Sequence, residues 1–163
     1  VIVKDKLHPD VLAWEIEMPD LSIDAENLDY KLQDGSLFGS LSTRFENKNI
    51  LLLKKIKNSL NINFIKEKVP EHKEIDIKIF KDIPGFKLFP HEDAPHHKAF
   101  LMFNLTNNID STMFYDAEKK FLCKGPNKKN KGVFHILRTK PPILHAIENT
   151  SNKNRYTAIA FIK

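Results

Sequence analysis

Two imidazoles and a carboxylate, His91, Asp93 and His145, are the residues of this chain best suited to hold a metal ion. That donor set fits Fe(II), gripping it on one face and leaving the opposite positions open for chemistry. On an extended strand, side chains two residues apart project to the same side. His91 and Asp93 therefore point together and Glu92 points away. The third ligand must come from a distant strand, and His145 stands in one, the apolar run Ile143-Leu144-His145-Ala146-Ile147. Ten residues beyond it is Arg155, followed by Thr157. A guanidinium is a planar fork that binds a carboxylate through two hydrogen bonds, and a hydroxyl at 157 adds a third. The spacing predicts a metal centre with an anion anchor about one small diacid away.

Seven histidines and eleven aspartates make a single His-x-Asp pair weak evidence. The arginine carries more weight, because only three of the 26 cationic residues are arginine: Arg44, Arg138 and Arg155. Taken singly, each residue has a plainer reading. His91 can end a strand beside Pro90, Asp93 can turn the chain before Ala94-Pro95, His145 can be a core histidine, and Arg155 can cap a hairpin. Their joint spacing favours the metal centre. His96 and His97 adjoin the motif and are the ligands to consider if the register is shifted. His8, His72 and His135 read as structural or surface residues.

These residues need a scaffold. After Pro70, short β-prone runs recur: 74–80, 86–91, 98–105, 112–116, 120–124, 133–138, 143–148 and 155–162. Ile75, Ile77 and Ile79 alternate with Asp76 and Lys78, as in a strand with one apolar face. Eight such strands predict a mainly β fold, a double-stranded β-helix (a cupin-like jelly roll). The last two strands read as a hairpin joined by 149–154. With Thr157 opposite His145, Arg155 would lie roughly 7 Å further along. Upstream, 11–17 reads as a short strand, and 24–33 as one or two helical turns. Ile50, Leu53, Ile56 and Leu60 mark an amphipathic helix over 46–60. Trp14, Leu37, Phe38 and Phe45 are candidate core residues, with turns at Asp34-Gly35 and Gly39-Ser40. Lys124 to Gly132 is the most disorder-prone loop. The expected organisation is one domain over 1–163, with a mixed N-terminal segment (about 1–73) packed on one sheet of a jelly-roll core (about 74–163).

Composition sets the remaining bounds. A chain of 163 residues with 41% hydrophobic content can build one real core. No run approaches the roughly 18 apolar residues of a membrane span. The first residues carry charge and no apolar signal core, and Cys123 is the sole cysteine, so a reducing cytoplasm is the default and a disulfide framework is excluded. Cys123 reads as a passive strand residue. Net charge is +5, but lysine supplies nearly all of it, whereas nucleic-acid readers lean on arginine. A nucleic-acid partner is therefore disfavoured.

From Phe86 to Phe161 the chain resembles the 2-oxoglutarate/Fe(II)-dependent oxygenase superfamily, nearest to its prolyl-hydroxylase-like branch. The resemblance is carried by His91-Glu92-Asp93, the strand Phe100-Leu101-Met102-Phe103-Asn104-Leu105, Ser111-Thr112-Met113-Phe114-Tyr115, His145, and Arg155-Tyr156-Thr157. The stretch from His145 to Tyr156 also resembles the distal motif of aspartyl/asparaginyl hydroxylases. It implies Fe(II) on His91, Asp93 and His145, and 2-oxoglutarate as co-substrate with its far carboxylate on Arg155 and Thr157. It further implies O2 consumption, release of succinate and CO2, and ascorbate as a possible reductant. The hydroxylated substrate would be a protein, a peptide or a small molecule, with peptides favoured by family analogy. Some positions depart from the pattern. Ser111 replaces a glycine, and Phe103-Asn104-Leu105 replaces a Tyr-Leu-Asn run, leaving Asn104 to stand in for a co-substrate-touching tyrosine. Collagen-type prolyl hydroxylases carry lysine at the Arg155 position. Two other readings compete: a cupin-like metalloenzyme that ignores 2-oxoglutarate, and a non-catalytic jelly-roll binding module.

Overall fold

The computed structural model describes residues 1–33 and 44–163. In chain order the elements are β1 (Ile2–His8), β2 (Val11–Glu17), a 3-10 turn (Ala25–Asn27), β3 (Lys31–Leu32), β4 (Phe45–Asn47), α1 (Ile50–Ser59) and α2 (Ile62–Lys68). Then follow β5 (Ile75–Asp82), β6 (Lys87–His91), β7 (Ala99–Asn104), β8 (Met113–Tyr115), β9 (Phe121–Lys124), β10 (Lys131–Ile136), β11 (Leu144–Glu148) and β12 (Arg155–Ile162). All eight strands expected after Pro70 are present. They fold as two antiparallel sheets, one ordered β1-β2-β10-β7-β12-β5-β4-β3 and the other β6-β11-β8-β9. This is the expected double-stranded β-helix.

Strand periodicity sorts the side chains into two cores. On β12, Tyr156, Ala158, Ala160 and Ile162 face outward from the large sheet. They join Ile75, Ile77 and Ile79 of β5 and Leu101 and Phe103 of β7 in a cluster closed by Ile56, Leu60 and Ile65 of the helices. The opposite faces of the same strands meet the small sheet. There Phe100, Met102, Val133, Phe114 and Ile143 form the second cluster, with Ile159 and Phe161 packed on it. A strand buried on both faces needs apolar or fully hydrogen-bonded residues, and β7 is buried at all six positions, five apolar and the sixth the hydrogen-bonded Asn104. No helix among the described residues is long and apolar enough to cross a membrane.

The N-terminal third departs from its expectation in instructive ways. The helix expected from Glu46 begins at Ile50, because Phe45–Asn47 pair with β5 instead. Asn49 fixes the start: its side chain accepts the Leu52 amide at 3.2 Å. Ile50 is consequently 68% exposed and off the core stripe, whereas Ile56 and Leu60 are buried as expected. A second helix, capped by Asn61 on the Phe64 amide at 3.1 Å, was not foreseen. It sets Phe64 edge-on against Phe134, with ring centroids 5.0 Å apart. Residues 24–33 hold a single 3-10 turn and then strand β3. Trp14 packs against the outer cluster as expected. The candidate core residues Leu37 and Phe38 and the turns at 34–35 and 39–40 lie outside the described residues.

The loop expected to be disordered, 124–132, is stitched down. Asn104 donates to the carbonyls of Pro126 (3.0 Å) and Lys131 (2.8 Å), and the Asn130 carbonyl accepts the Met18 amide at 2.7 Å. Gly132 in β10 is required by close approach. A Cβ there would fall 1.7 Å from the Met102 carbonyl oxygen, closer than any non-bonded contact permits.

Candidate metal centre and anion pocket

His91 ends β6, Asp93 stands just beyond it, and His145 is the second residue of β11, paired directly opposite His91. The three expected ligands therefore converge, and one donor atom from each lies within 4.8 Å of the others. Asp93 Oδ1 is 3.1 Å from His145 Nε2 and 3.5 Å from His91 Nε2. Metal–ligand bonds of about 2.0–2.2 Å at right angles separate neighbouring donors by about 3 Å, so the spacing fits an ion. His91 Nδ1 meets the Phe89 carbonyl at 2.6 Å, which fixes the proton on Nδ1 and frees Nε2 for a metal. Among the described residues, His145 Nδ1 and Asp93 Oδ2 are buried without a hydrogen-bond partner. Neither is a converging atom, so the His145 ring lacks the neighbour that usually orients a metal-bound imidazole. The donor set fits Fe(II).

The electrostatics agree. Burial works to raise the Asp93 carboxyl, but the imidazoles of His145, His91 and His97 around it outweigh that and hold Asp93 well below the ordinary carboxylate range. Burial disfavours the His91 cation, yet the Asp93 carboxylate and the Phe89 carbonyl raise its pKa. His97 stands 3.9 Å from Asp93 Oδ2 and His96 is exposed. Among the described residues, neither belongs to the converging set.

Glu92 points away, as strand geometry requires, and meets Arg138 at 3.3 Å. Arg138 does more than pair with it. Its guanidinium also donates to the carbonyls of Asp93, Ala94 and His97. One side chain on a distant turn thereby fastens the whole loop that carries Asp93. Arg138→Ala is expected to leave the fold intact and weaken metal binding by about 10–100-fold, the usual consequence of losing an outer-shell partner. Competition with a chromophoric chelator measures it.

The anion side departs from expectation in topology, and of its two expected residues Arg155 lines the cavity whereas Thr157 does not. β11 and β12 are not hairpin partners. β11 lies in the small sheet between β6 and β8, and β12 in the large sheet between β7 and β5. Thr157 is in register with Phe80 and Asn104, not with His145. Even so, Arg155 lines the same cavity as His91, Asp93 and His145, together with Arg44, Phe100, Met102 and Thr112. That cavity holds about 70 Å³, several times the roughly 10–15 Å³ a single water needs. Arg155 is 3% exposed, and its Nη1 donates to Asp82 Oδ2 at 3.0 Å. Burial presses its pKa down while Asp82 opposes the shift. Among the described residues its Nε and the Thr157 hydroxyl have no partner, although both are buried.

Asn104 does not take the place of a co-substrate-touching tyrosine. Both of its ends are spent holding the 124–132 loop and Asn108. His135 is buried as a structural residue would be. Burial, aided by the nearby His145, pushes its pKa down to about 3, and its ring centroid lies 6.1 Å from that of His145. Sequence reasoning missed Arg44, Asp82 and Arg138. The signal was available in part, since all three arginines of this lysine-rich chain stand around one cavity or its loop.

No protein-family model matches the chain, and no curated protein matches its sequence. Solved structures do match its fold. The viral collagen prolyl hydroxylase of Paramecium bursaria Chlorella virus-1, solved as its 2OG complex, aligns at TM-score 0.57 and 13% identity over 96% of this chain and 98% of that one. A Pseudomonas putida prolyl-4-hydroxylase aligns at TM-score 0.62 and 9% identity, covering 94% and 93%. A 2OG-Fe(II) oxygenase family protein of Burkholderia pseudomallei aligns at 0.57 and 10%, covering 85% and 74%. The chain therefore has the double-stranded β-helix fold seen in prolyl hydroxylases and 2OG-Fe(II) oxygenases, with a His-Asp-His cluster able to hold a metal at its heart.

Proposed function

We propose that the protein is an Fe(II)- and 2-oxoglutarate-dependent dioxygenase that hydroxylates a peptidyl or small-molecule substrate and releases succinate and CO2. One observation carries this reading. A metal-competent triad and a buried arginine with an unpartnered Nε share a single small cavity. A structural ion pair would need no such cavity, and a metal centre that ignored diacids would need no buried guanidinium beside it.

The residues take these roles. His91, Asp93 and His145 hold the iron, and Arg138 keeps the Asp93 loop in place. Arg155 binds the distal carboxylate of the co-substrate, which satisfies its orphaned Nε; Thr157, two residues along β12, would add its hydroxyl if the carboxylate reaches beyond the cavity lining. Phe100, Met102 and Ile159 give the cavity dry apolar walls. Bound iron supplies the redox chemistry that couples decarboxylation of the co-substrate to oxidation of a substrate C–H bond by O2. Beside the triad, a wider groove of about 400 Å³ opens between Lys78, Glu92, His96, Phe161 and Lys163, and this is where the substrate would lie.

The test is succinate release by Fe(II)-loaded protein with 2-oxoglutarate, O2 and ascorbate, with and without a panel of candidate peptides. Slow uncoupled release in the absence of peptide is the minimum expected. Arg155→Met should raise the KM for 2-oxoglutarate by roughly 30–100-fold, the worth of a charge-assisted pair in a dry site, while metal content stays unchanged. No succinate above a metal-free control would refute the reading.

A further inference from the structure

Arg155 does not face the cavity as a lone cation. It shares Asp82 with Arg44, and Arg44 holds that carboxylate more completely. Its Nε donates to Oδ1 at 2.7 Å and its Nη2 to Oδ2 at 2.9 Å. Arg155 reaches only Oδ2. All three are buried, with Arg44 6%, Arg155 3% and Asp82 0% exposed. Arg44 is also clamped between two rings, its guanidinium carbon 4.0 Å from the centre of Phe80 and 4.9 Å from that of Phe86. It lines the cavity itself. Had Asp82 been left to Arg155 alone, the pair would be neutral and would offer an incoming carboxylate little. With Arg44 occupying both oxygens of Asp82, the cluster keeps one net positive charge, and the freedom to bind falls to Arg155.

We propose that Arg44 is the charge-setting residue of the co-substrate pocket: by taking Asp82 in a two-pronged pair, it leaves one uncompensated positive charge on Arg155 and selects a 2-oxo acid with a second carboxylate. This rests on the function proposed above. The charges close on that basis. The iron and the Asp93 carboxylate leave one positive charge for the keto-acid end, and the Arg44–Asp82–Arg155 cluster leaves one for the distal end. A dianion is neutralised completely. A 2-oxo acid with an apolar tail would leave the buried cluster charged and unmatched, which is costly.

The test is calorimetric binding of 2-oxoglutarate and of 2-oxopentanoate to Mn(II)-loaded protein, which requires no turnover. The wild type is expected to prefer the diacid strongly. Arg44→Gln should weaken 2-oxoglutarate binding by at least about 30-fold, as expected when a buried charge loses its partner. It should leave 2-oxopentanoate within about three-fold and Mn(II) affinity unchanged. Arg44→Gln combined with Asp82→Asn restores the single positive charge and should recover most of the lost affinity. A purely structural Arg44 predicts the reverse: both acids weakened alike, and the double variant worse than the single one. Either of those results, or an Arg44→Gln variant that binds 2-oxoglutarate normally, overturns the proposal while leaving the oxygenase reading in place. A wild type that binds neither acid overturns both. If Arg44→Gln fails to fold by circular dichroism, Arg44→Lys keeps the charge without the fork and should retain the diacid preference. Loss of that preference in a folded Arg44→Lys protein counts against the charge argument.

Discussion

His145→Ala is expected to strip the protein of tightly bound Fe(II), lowering metal affinity by more than about 100-fold and abolishing succinate release. Outer-shell changes alone cost about 10–100-fold, and this change removes a ligand. It also leaves Asp93 with one imidazole fewer to offset its burial. The matched control is His96→Ala, whose side chain is exposed and outside the converging set; it should keep its full metal complement. Metal analysis after desalting reads both. Equal metal in His145→Ala and wild type would point to ligands elsewhere.

Asp82→Ala should be the most destabilising single change at the site. It removes the carboxylate that Arg44 and Arg155 share, leaving two buried guanidiniums facing one another. Breaking a buried ion pair by deleting one partner costs about 3–5 kcal/mol. For a domain of this size that lowers the thermal midpoint by about 6–20 °C. Asp82→Asn keeps the shape and some of the hydrogen bonding, so its loss should be smaller. An Asp82→Ala protein that melts with the wild type would show that the cluster is solvated and that the charge argument for the pocket is wrong.

The strands were legible because their residues repeat with period two. Ile75, Ile77 and Ile79 lie in the outer core, while Asp76 and Lys78 line the groove on the opposite face. The candidate ligands follow a similar logic, since His91 ends β6 and Asp93, two residues on, projects to the same side. Which sheet each strand joins was not legible. Nearness in sequence suggests that β11 and β12 pair, but β12 is buried along nearly its whole length, on one face by the helices and on the other by the small sheet, and only a strand of the large sheet lies between those layers. Arg155 therefore lines the cavity from the sheet opposite His145. The Arg44–Asp82 contact spans 38 residues of sequence, and nothing local to either residue announces it. Apolar spacing reveals helix α1 but not its start, which the Asn49 cap sets. β1 is exposed over Lys4, Asp5 and Lys6, as suits a charged sheet edge, yet its pattern alone was too polar to read as a strand.

If a three-ligand metal and a buried arginine cooperate to bind one diacid, anaerobic titration of the Fe(II)-loaded protein with 2-oxoglutarate will reveal it, because chelation of iron by a 2-oxo acid produces a weak visible charge-transfer band. A saturable band is expected in the wild type, none in His145→Ala, and a band needing far more 2-oxoglutarate in Arg155→Met. A wild type that binds Fe(II) but develops no band at saturating 2-oxoglutarate would contradict it.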